Sequence, residues 1–139
     1  FWRVAMRPGK PVMFGKLGTV PILGLPGNPV SSMICALVFL LPVVKRLLGL
    51  AEQHNTNLQG AFLTSPLPAN DKREDYLRAT IEYKEDGTVW ARPFKHQDSS
   101  MLSLLAKAQC LIIRAPHAPK ADPGQTVQVM KFPSGLANV

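Results

Sequence analysis

The sequence predicts an α/β segment, the end of a larger α/β domain, followed by a small all-β barrel-like domain. Three observations lead to this prediction. Residues 1–49 contain three strand-like runs and one long apolar helical pattern. Residues 50–57 are mostly polar and show neither the helical nor the strand period, which is typical of a linker. Residues 58–133 contain four or five alternating segments between turn residues, which is the pattern of a small barrel or sandwich.

The first part has predicted strands at residues 1–6, 12–17 and 20–25 and a predicted helix at residues 29–48. The third strand, VPILGL, is apolar on both faces, so we expect it to be buried in a parallel or central position. The helix ends at Gly49, and its apolar face is made by Ile34, Leu37, Val38, Leu41 and Val44. Because the chain starts within a predicted strand, we expect it to be the C-terminal piece of a longer protein.

The second part has strand patterns in the segments LQGAFLTS, DYLRATIEYKEDGTVWARPF, CLIIRAP and QTVQVMKF. Asp86 and Gly87 form a hairpin turn signal within the longest of these segments. A short helix is predicted at residues 99–108. These strands and this helix are enough for a core of their own, so we expect residues 58–133 to fold as an independent domain.

Positive charge is concentrated in the first part of the chain. The 139 residues carry a net charge of +7, from sixteen basic and nine acidic residues. Residues 1–50 hold six of the basic residues and none of the acidic ones, whereas residues 51–139 are nearly neutral. A local excess of positive charge indicates a small anionic ligand near the first segment. It does not indicate nucleic-acid binding, because that requires a basic face across a whole domain.

Several other classes of protein are not indicated. Cys35 and Cys110 lie far apart with no CxxC pattern, and His54, His96 and His117 have no metal-ligand spacing, so we expect no metal ligand and no disulfide. Reduced cysteines fit a cytoplasmic protein. The motif LPGNP and Pro42 divide the apolar region and leave only about a dozen apolar residues, fewer than the roughly 20 of a membrane helix. We therefore expect no membrane span.

The segment GLPGNPVSS joins the third predicted strand to the helix. Asn28 is a favourable N-cap residue, and Pro29 suits the first helical position. The amides of Val30, Ser31 and Ser32 would then point out of the helix end, where they could bind an anion. The alternative interpretation is a well-capped turn with no ligand.

Basic side chains precede this turn. Arg3 and Arg7 are four positions apart in a predicted strand, which places them on one face, and Lys10 follows in the loop. In open α/β sheets, ligands bind beyond the carboxyl ends of the strands. We therefore expect these cations and the turn to form a crevice for a phosphate or another tetrahedral oxyanion. The alternative is that the cations are scattered on the surface and serve only solubility.

The same residues carry a family resemblance. FWRVAMRPGKPVMFGKL, followed after six residues by GLPGNPVSS, resembles the segment shared by bacterial molybdopterin molybdenumtransferases (the MoeA family) and the E domain of gephyrin. DYLRA and HQDSS resemble a strand and a Gln-x-Ser turn of the same family. The resemblance implies the end of a molybdopterin-binding α/β domain at residues 1–49 and a C-terminal β-barrel domain at residues 58–133.

The resemblance also implies an activity. The family inserts molybdenum from molybdate into adenylylated molybdopterin and releases AMP, with Mg²⁺ assisting. We expect the Mg²⁺ ligands upstream of Phe1, a homodimeric full-length protein, and an inactive chain when these 139 residues are alone. Whether tungstate replaces molybdate, which enzymes receive the cofactor, and whether the protein also acts as a scaffold stay open.

Carried over by position, the resemblance gives candidate site residues. Arg3 and Arg7 stand where the family has basic residues near the molybdate and phosphate sites, and Ser99 fits the serine of the Gln-x-Ser turn. These three are the candidate catalytic residues, although Ser99 also suits a simple helix N-cap, as does Ser100. The candidate substrate-binding residues are Lys10, Pro26, Asn28, Pro29, Ser31, Ser32 and Arg78. From the strand pattern alone, a solvated face is the expected place for Arg78, ahead of a ligand-binding role.

An alternative function is a small basic barrel that binds RNA or a partner protein. It requires exposed aromatic residues among basic residues on the barrel strands, and the candidates are Tyr76, Tyr83, Trp90 and Phe94. For Trp2 and Trp90 we expect packing in a core or an interface and not stacking on a ligand. The near-neutral charge of residues 51–139 favours the transferase.

Overall fold

The computed structural model describes residues 3–50, 57–98, 100 and 102–133. The first part contains strands β1 (Met6–Arg7), β2 (Met13–Leu17) and β3 (Val20–Gly24) and helix α1 (Pro29–Leu47). The second part contains β4 (Leu58–Leu63), β5 (Glu74–Tyr83), β6 (Val89–Pro93), the short helix α2 (Leu102–Lys107), β7 (Cys110–Arg114) and β8 (Thr126–Lys131).

The second part is a closed five-stranded barrel, which confirms the predicted all-β barrel-like domain. Its strands follow the order β5-β6-β4-β8-β7, and β7 pairs with β5 to close the ring. Gly87 has a φ of 82° in the turn between β5 and β6, as the Asp86-Gly87 signal predicts. The core of the barrel is apolar and includes Leu63, Ala79, Ala91, Cys110, Ile112 and Val129.

Strand β1 joins the first part of the chain to the barrel. Met6 and Arg7 pair in parallel with Glu74 and Asp75 at the start of β5. The predicted strand at residues 1–6 is wrong in extent, because among the described residues the strand begins only at Met6. Before it, the Val4 N–H donates to the Lys10 carbonyl at 3.1 Å and closes a loop.

Strands β2 and β3 form an antiparallel hairpin. They pair from Met13 with Gly24 to Leu17 with Val20. The prediction of a buried strand in a parallel or central position at residues 20–25 is therefore wrong. Val20 is 59% exposed and Ile22 is 44% exposed, because no described element covers this face of the hairpin. An apolar run shows that a strand is suited to burial but not which element buries it.

Helix α1 confirms the helix predicted at residues 29–48. Its first segment is α-helical (Pro29–Cys35), the middle is π-helical (Ala36–Leu40) and the last segment is α-helical (Leu41–Leu47). The Leu41 N–H donates to the carbonyl of Ala36, five residues earlier. Pro42 explains this wider turn, because it lacks an N–H and its ring crowds the preceding turn. Pro42 thus widens the helix without ending it.

A second core cluster combines both parts of the chain. Residues of the first part, Met6, Val12, Val30, Ile34 and Cys35, pack with the barrel residues Tyr76, Leu105 and Leu111. On the predicted apolar face of α1, Ile34 is buried, Leu37, Val38 and Leu41 are half-buried, and Val44 is exposed. The N-terminal half of the helix therefore anchors the first part on the outer surface of the barrel. The domain boundaries at 1–49, 50–57 and 58–133 stay a prediction, and most of the linker lies outside the described residues.

Helix α1 is long and apolar enough to cross a membrane by length and composition alone. It spans 19 residues, and its most apolar window has a mean hydropathy of 1.9. The expectation that proline leaves only about a dozen apolar residues is therefore wrong, since the helix continues through Pro42. Core helices of soluble proteins meet the same criterion. The absence of a membrane span stays a prediction.

Candidate functional site

A cleft of about 400 Å³ lies where the first part of the chain meets the barrel. Four cationic side chains line it: Arg7 and Lys10 from the first part, and Arg73 and Arg78 from the barrel. Asp98 is the one acidic residue among the described residues that line it. The cleft therefore has an excess of positive charge, which suits an anionic ligand.

Arg7 is held by carboxylates at the mouth of this cleft. Its Nε donates to Asp75 Oδ1 at 2.9 Å and its Nη2 to Asp75 Oδ2 at 2.5 Å, a two-point ion pair. Asp71 lies 3.5 Å from Nη1 and Asn70 accepts from Nη2. The hydrogen bond to Asp75 raises the pKa of Arg7, against the opposing effect of burial. Arg7 thus fastens β1 to β5 and has little donor capacity left for a ligand.

The start of α1 confirms the predicted cap but leaves no free amide for an anion. The Asn28 side chain accepts from the N–H groups of Val30 at 3.0 Å and Ser31 at 3.2 Å. Pro29 has no N–H, and the Ser32 N–H donates to the Asn28 carbonyl at 2.8 Å. The prediction that these three amides bind an anion is therefore wrong, because the cap satisfies them. Ser31, which is buried, still lines the cleft.

Arg78 is a buried cation in the cleft wall. It is 2% exposed, and its Nη2 donates to the carbonyl oxygen of Asp98 at 2.8 Å. Burial lowers the pKa of its guanidinium, and the Asp98 carboxylate partly offsets this effect. The interpretation of Arg78 as a residue on a solvated face is therefore wrong. A buried positive charge is costly, and an anion in the cleft would stabilise it.

Asp98 is held as a carboxylate by the turn that follows it. The Ser100 backbone N–H donates to Asp98 Oδ1 at 2.9 Å. This hydrogen bond, then that of the Ser100 side chain, and then the charge of Arg78 lower the pKa of Asp98. Asp98 is therefore ionised at neutral pH and restricts the cleft to ligands that tolerate one nearby negative charge.

The Lys10 ammonium is a cation of the cleft whose donors are free. Among the residues that the structure describes, its ammonium has no hydrogen bond or ion pair, and its side chain is exposed at the cleft. Arg73, by contrast, donates to Asp71 at 3.2 Å. A lysine ammonium offers three rotatable donors to an oxyanion. Lys10 is thus the residue in the cleft best suited to bind an anion directly.

Close packing behind the cleft fixes the loop that carries Lys10. Gly9 has a φ of 114°, and a Cβ at this position would lie 2.4 Å from Cys35 Sγ. The Cys35 thiol donates to the Gly9 carbonyl at 3.9 Å, and burial raises its pKa to about 11. Only glycine fits here, so the contact sets the distance between the loop and α1.

The structure brings together four of the predicted site residues: Arg7, Lys10, Ser31 and Arg78. The others are not among the described residues that line the cleft: Arg3, Pro26, Asn28, Pro29 and Ser32. Ser99 lies outside the described residues, so its predicted roles stay predictions. Among the residues that the structure describes, no group of three or more His, Cys, Asp or Glu could hold a metal ion, and we assign no step to Mg²⁺.

Sequence reasoning missed Arg73, Tyr76, Gln97 and Asp98 as residues of the site. Tyr76 is buried in the cleft wall, and its hydroxyl donates to Glu74 at 2.5 Å. Burial and this hydrogen bond raise the pKa of Tyr76, so it stays neutral. The HQDSS segment was the one available signal in the sequence. It did not identify Gln97 as a site residue, because Gln97 comes near Arg78 only once the barrel has closed.

Two family models match the chain, and together they cover most of it. A model described as "Probable molybdopterin binding domain" matches residues 1–46. A second, described as "MoeA C-terminal region (domain IV)", matches residues 61–132, which is more than half of the chain. The chain belongs to the MoeA family. The two matches fall on the two parts of the chain that meet at the cleft.

MoeA relatives with curated names are similar over nearly the whole chain. The chain is 30% identical over 132 residues to the molybdopterin molybdenumtransferase of Haemophilus influenzae, covering 95% of this chain and 33% of that protein. It is 32% identical over 136 residues to molybdopterin molybdenumtransferase 1 of Mycobacterium tuberculosis, covering 91% and 31%. The chain thus spans about a third of the length of these relatives.

Solved structures of MoeA proteins share the fold. The molybdopterin biosynthesis moeA protein from Pyrococcus horikoshii OT3 superposes with a TM-score of 0.72 at 23% identity, covering 95% of this chain and 32% of that one. A molybdenum cofactor biosynthesis protein from Pyrococcus furiosus gives a TM-score of 0.76 at 20% identity, covering 95% and 45%. These likenesses agree with the predicted fold class.

Proposed function

We propose that this chain contributes the anion-binding cleft of a molybdopterin molybdenumtransferase. In this reaction, molybdenum from molybdate enters adenylylated molybdopterin and AMP is released. The observation that carries the proposal is the cleft between the two parts of the chain, where Lys10, Arg73 and Arg78 face one space. The names of the curated relatives support the reaction class.

In the proposed mechanism, the residues of this chain bind and orient anionic groups. The Lys10 ammonium contacts the phosphate of the nucleotide or the molybdate oxyanion and stabilises charge that develops as AMP leaves. Arg78 supplies a second positive charge from the buried wall, and the Ser31 hydroxyl can donate a further hydrogen bond. Arg7 acts through the loop, because its ion pair with Asp75 holds β1, from which the loop to Lys10 continues.

Residues outside this chain complete the proposed enzyme. We propose that it is a cytoplasmic homodimer in which Mg²⁺ assists the reaction, as the resemblance implies. The proposal that the Mg²⁺ ligands lie upstream of Phe1 rests on the resemblance. The roles of Arg3 and Ser99 stay proposals from the resemblance alone.

A chimeric enzyme tests the proposal. The matched 132 residues of the Haemophilus influenzae molybdenumtransferase are replaced by this chain. The chimera is assayed for AMP release from adenylylated molybdopterin in the presence of molybdate, and we expect activity above the background without enzyme. A folded chimera with no activity would contradict the proposal. The chain alone, assayed in parallel, is expected to be inactive.

Lys10→Gln in the same chimera tests the assignment of the cation. We expect about a tenfold to hundredfold loss of kcat/KM, which is the effect of removing one hydrogen bond to a charged group. Lys16→Gln is the matched control, because Lys16 is an exposed lysine of β2 that does not line the cleft. Equal effects of the two substitutions would show that only overall charge matters.

A further inference from the structure

Strand β5 has a gap along one of its edges, next to the buried Arg78. Asp75 pairs with β1 on one edge and with β7 on the other. Ala79 likewise pairs with β7 and, on the opposite edge, with Pro93 of β6. Strands β1 and β6 therefore share one edge of β5, and Arg78 lies between their paired positions. On this edge the N–H of Phe94, the residue after β6, donates to the Arg78 carbonyl at 3.0 Å.

The side chain of Gln97 fills this gap. Its Oε1 accepts from the Arg78 N–H at 2.9 Å, and its Nε2 donates to the Arg78 carbonyl at 3.0 Å. The same Nε2 donates to the Phe94 carbonyl at 3.0 Å. The side-chain amide thus adds to the main-chain hydrogen bond from Phe94 and ties the loop after β6 to the backbone of Arg78.

The same loop carries one of the groups that the Arg78 side chain contacts. Asp98 follows Gln97 directly, and its carbonyl accepts from Arg78 Nη2 at 2.8 Å. Gln97 holds the backbone of Arg78 and Asp98 holds its guanidinium, so the loop fixes both ends of one side chain. Both residues line the cleft together with Arg78.

We infer that Gln97 is a positioning residue that sets the Arg78 guanidinium at the anion-binding cleft, an inference that rests on the proposed function. Its three hydrogen bonds all go to main-chain atoms, so Gln97 acts through Arg78 and need not contact the ligand. Without them, the loop would move from β5 and take the Asp98 carbonyl with it. The guanidinium would then lose its fixed direction, and binding of an anion would have to order it again.

The chimeric enzyme with Gln97→Met tests this inference. Methionine keeps the length of the side chain but makes none of the three hydrogen bonds. We expect about a tenfold or larger loss of kcat/KM, equivalent to one lost hydrogen bond in the transition state. Gln109→Met is the matched control, because Gln109 Oε1 also accepts from a backbone N–H of β5, that of Ile81 at 2.8 Å, but does not line the cleft. We expect Gln109→Met to stay within about twofold of wild type.

A double-mutant cycle separates positioning from a general loss of structure. Arg78→Met abolishes the group that Gln97 is inferred to position, so adding Gln97→Met should lower kcat/KM by no more than about twofold further. If the double variant instead shows the product of the two single losses in kcat/KM, the inference is overturned. If Gln97→Met does not fold, Gln97→Glu replaces it: its carboxylate still accepts from the Arg78 N–H but opposes the carbonyl groups of Arg78 and Phe94, and we again expect a loss.

Amide exchange of the 139-residue chain gives a readout that is independent of activity. Gln97→Met should speed exchange of the Arg78 N–H, which Gln97 Oε1 protects. Faster exchange with unchanged kcat/KM would overturn the positioning role and leave the proposed function intact. Unchanged exchange would show that the hydrogen bond is not made and would overturn the inference directly. An inactive wild-type chimera would instead overturn the proposed function, and this inference with it.

Discussion

The two-point ion pair between Arg7 and Asp75 connects the first part of the chain to the barrel. Arg7 of β1 and Asp75 of β5 are paired in the parallel register. The Arg7 Nε and Nη2 atoms lie 2.9 and 2.5 Å from the two carboxylate oxygens of Asp75, a residue that is 6% exposed. Two charge-assisted hydrogen bonds in a rigid geometry on a buried carboxylate are stronger than an ordinary surface ion pair. The pair is therefore a structural contact that holds the Arg7 side chain, which lines the cleft, against β5.

Arg7→Ala should lower the free energy of unfolding by about 1.5 to 3 kcal/mol, because it leaves the buried Asp75 carboxylate without its main partner. Arg92→Ala is the matched control. Arg92 approaches Glu82 only to 3.9 Å, and both side chains are exposed, so we expect a cost of less than about 1 kcal/mol. Urea denaturation of the 139-residue chain measures both. Equal costs for the two variants would contradict a structural role of Arg7.

Asn28→Ala should cost about 0.5 to 2 kcal/mol, because the amides of Val30 and Ser31 lose their acceptor. Asn28→Asp keeps a side-chain oxygen at the same position and should cost less. Thermal unfolding of the three proteins makes the comparison. If the alanine and aspartate variants were equally destabilised, the cap seen in the structure would contribute nothing.

Gly9→Ala should destabilise the chain by about 3 kcal/mol or more, since it combines a strained backbone with overpacking. The new Cβ would lie 2.4 Å from Cys35 Sγ. Gly27→Ala is the control, because a Cβ at Gly27 meets nothing within 4 Å. Adding Cys35→Ala to Gly9→Ala should restore part of the loss by removing the sulfur. If the double variant were no more stable than Gly9→Ala, the whole loss of unfolding free energy would come from strain of the backbone at position 9.

The stability of the chain should fall at alkaline pH because of its two buried thiols. Burial raises the pKa of Cys35 to about 11 and of Cys110 to about 12, from an ordinary value of 9.0. Above pH 9 the unfolded chain loses these protons while the folded chain keeps them. The stabilisation is therefore complete below pH 9 and is lost as the pH rises towards 11 and 12, by up to about 1.4 kcal/mol per pH unit for each thiol.

Cys110→Ala isolates one of these thiols. The substitution leaves a small cavity and lowers stability at every pH, so the slope against pH is the quantity to compare. We expect a shallower decline than in wild type between pH 9 and 10. Parallel curves would show that the Cys110 thiol ionises equally easily in the folded and unfolded chain.

Local features of the site were predictable from the sequence. The Asn28–Pro29 start of α1 and the Asp86–Gly87 turn depend on residues that are neighbours in the chain, and both predictions are confirmed. The prediction that an anion binds at the start of α1 also used only neighbouring residues, and it was wrong. A good N-cap satisfies the amides of the first turn, so a strong cap signal argues against free amides at that position.

Non-local features could not be predicted. Alternation along β5 assigns Arg78 to the outer face of a strand, and an outer face is normally solvated. Here the loop that holds Gln97 and the residues around Lys10 cover that face, and both reach it only after the barrel closes. The hairpin of β2 and β3 shows the converse, since its apolar residues predicted burial that no described element provides.

A titration of the 139-residue chain with AMP, followed by the backbone amide signals in NMR spectra, tests directly whether the cleft at Lys10 binds an anion. We expect saturable shifts at Lys10, Ser31 and Arg78, and their loss in Lys10→Gln. Shifts confined to the barrel strands that carry Tyr83 and Trp90 would favour the alternative of an RNA-binding or protein-binding barrel. No saturable shift near Lys10 would contradict the assignment of the cleft as an anion-binding site.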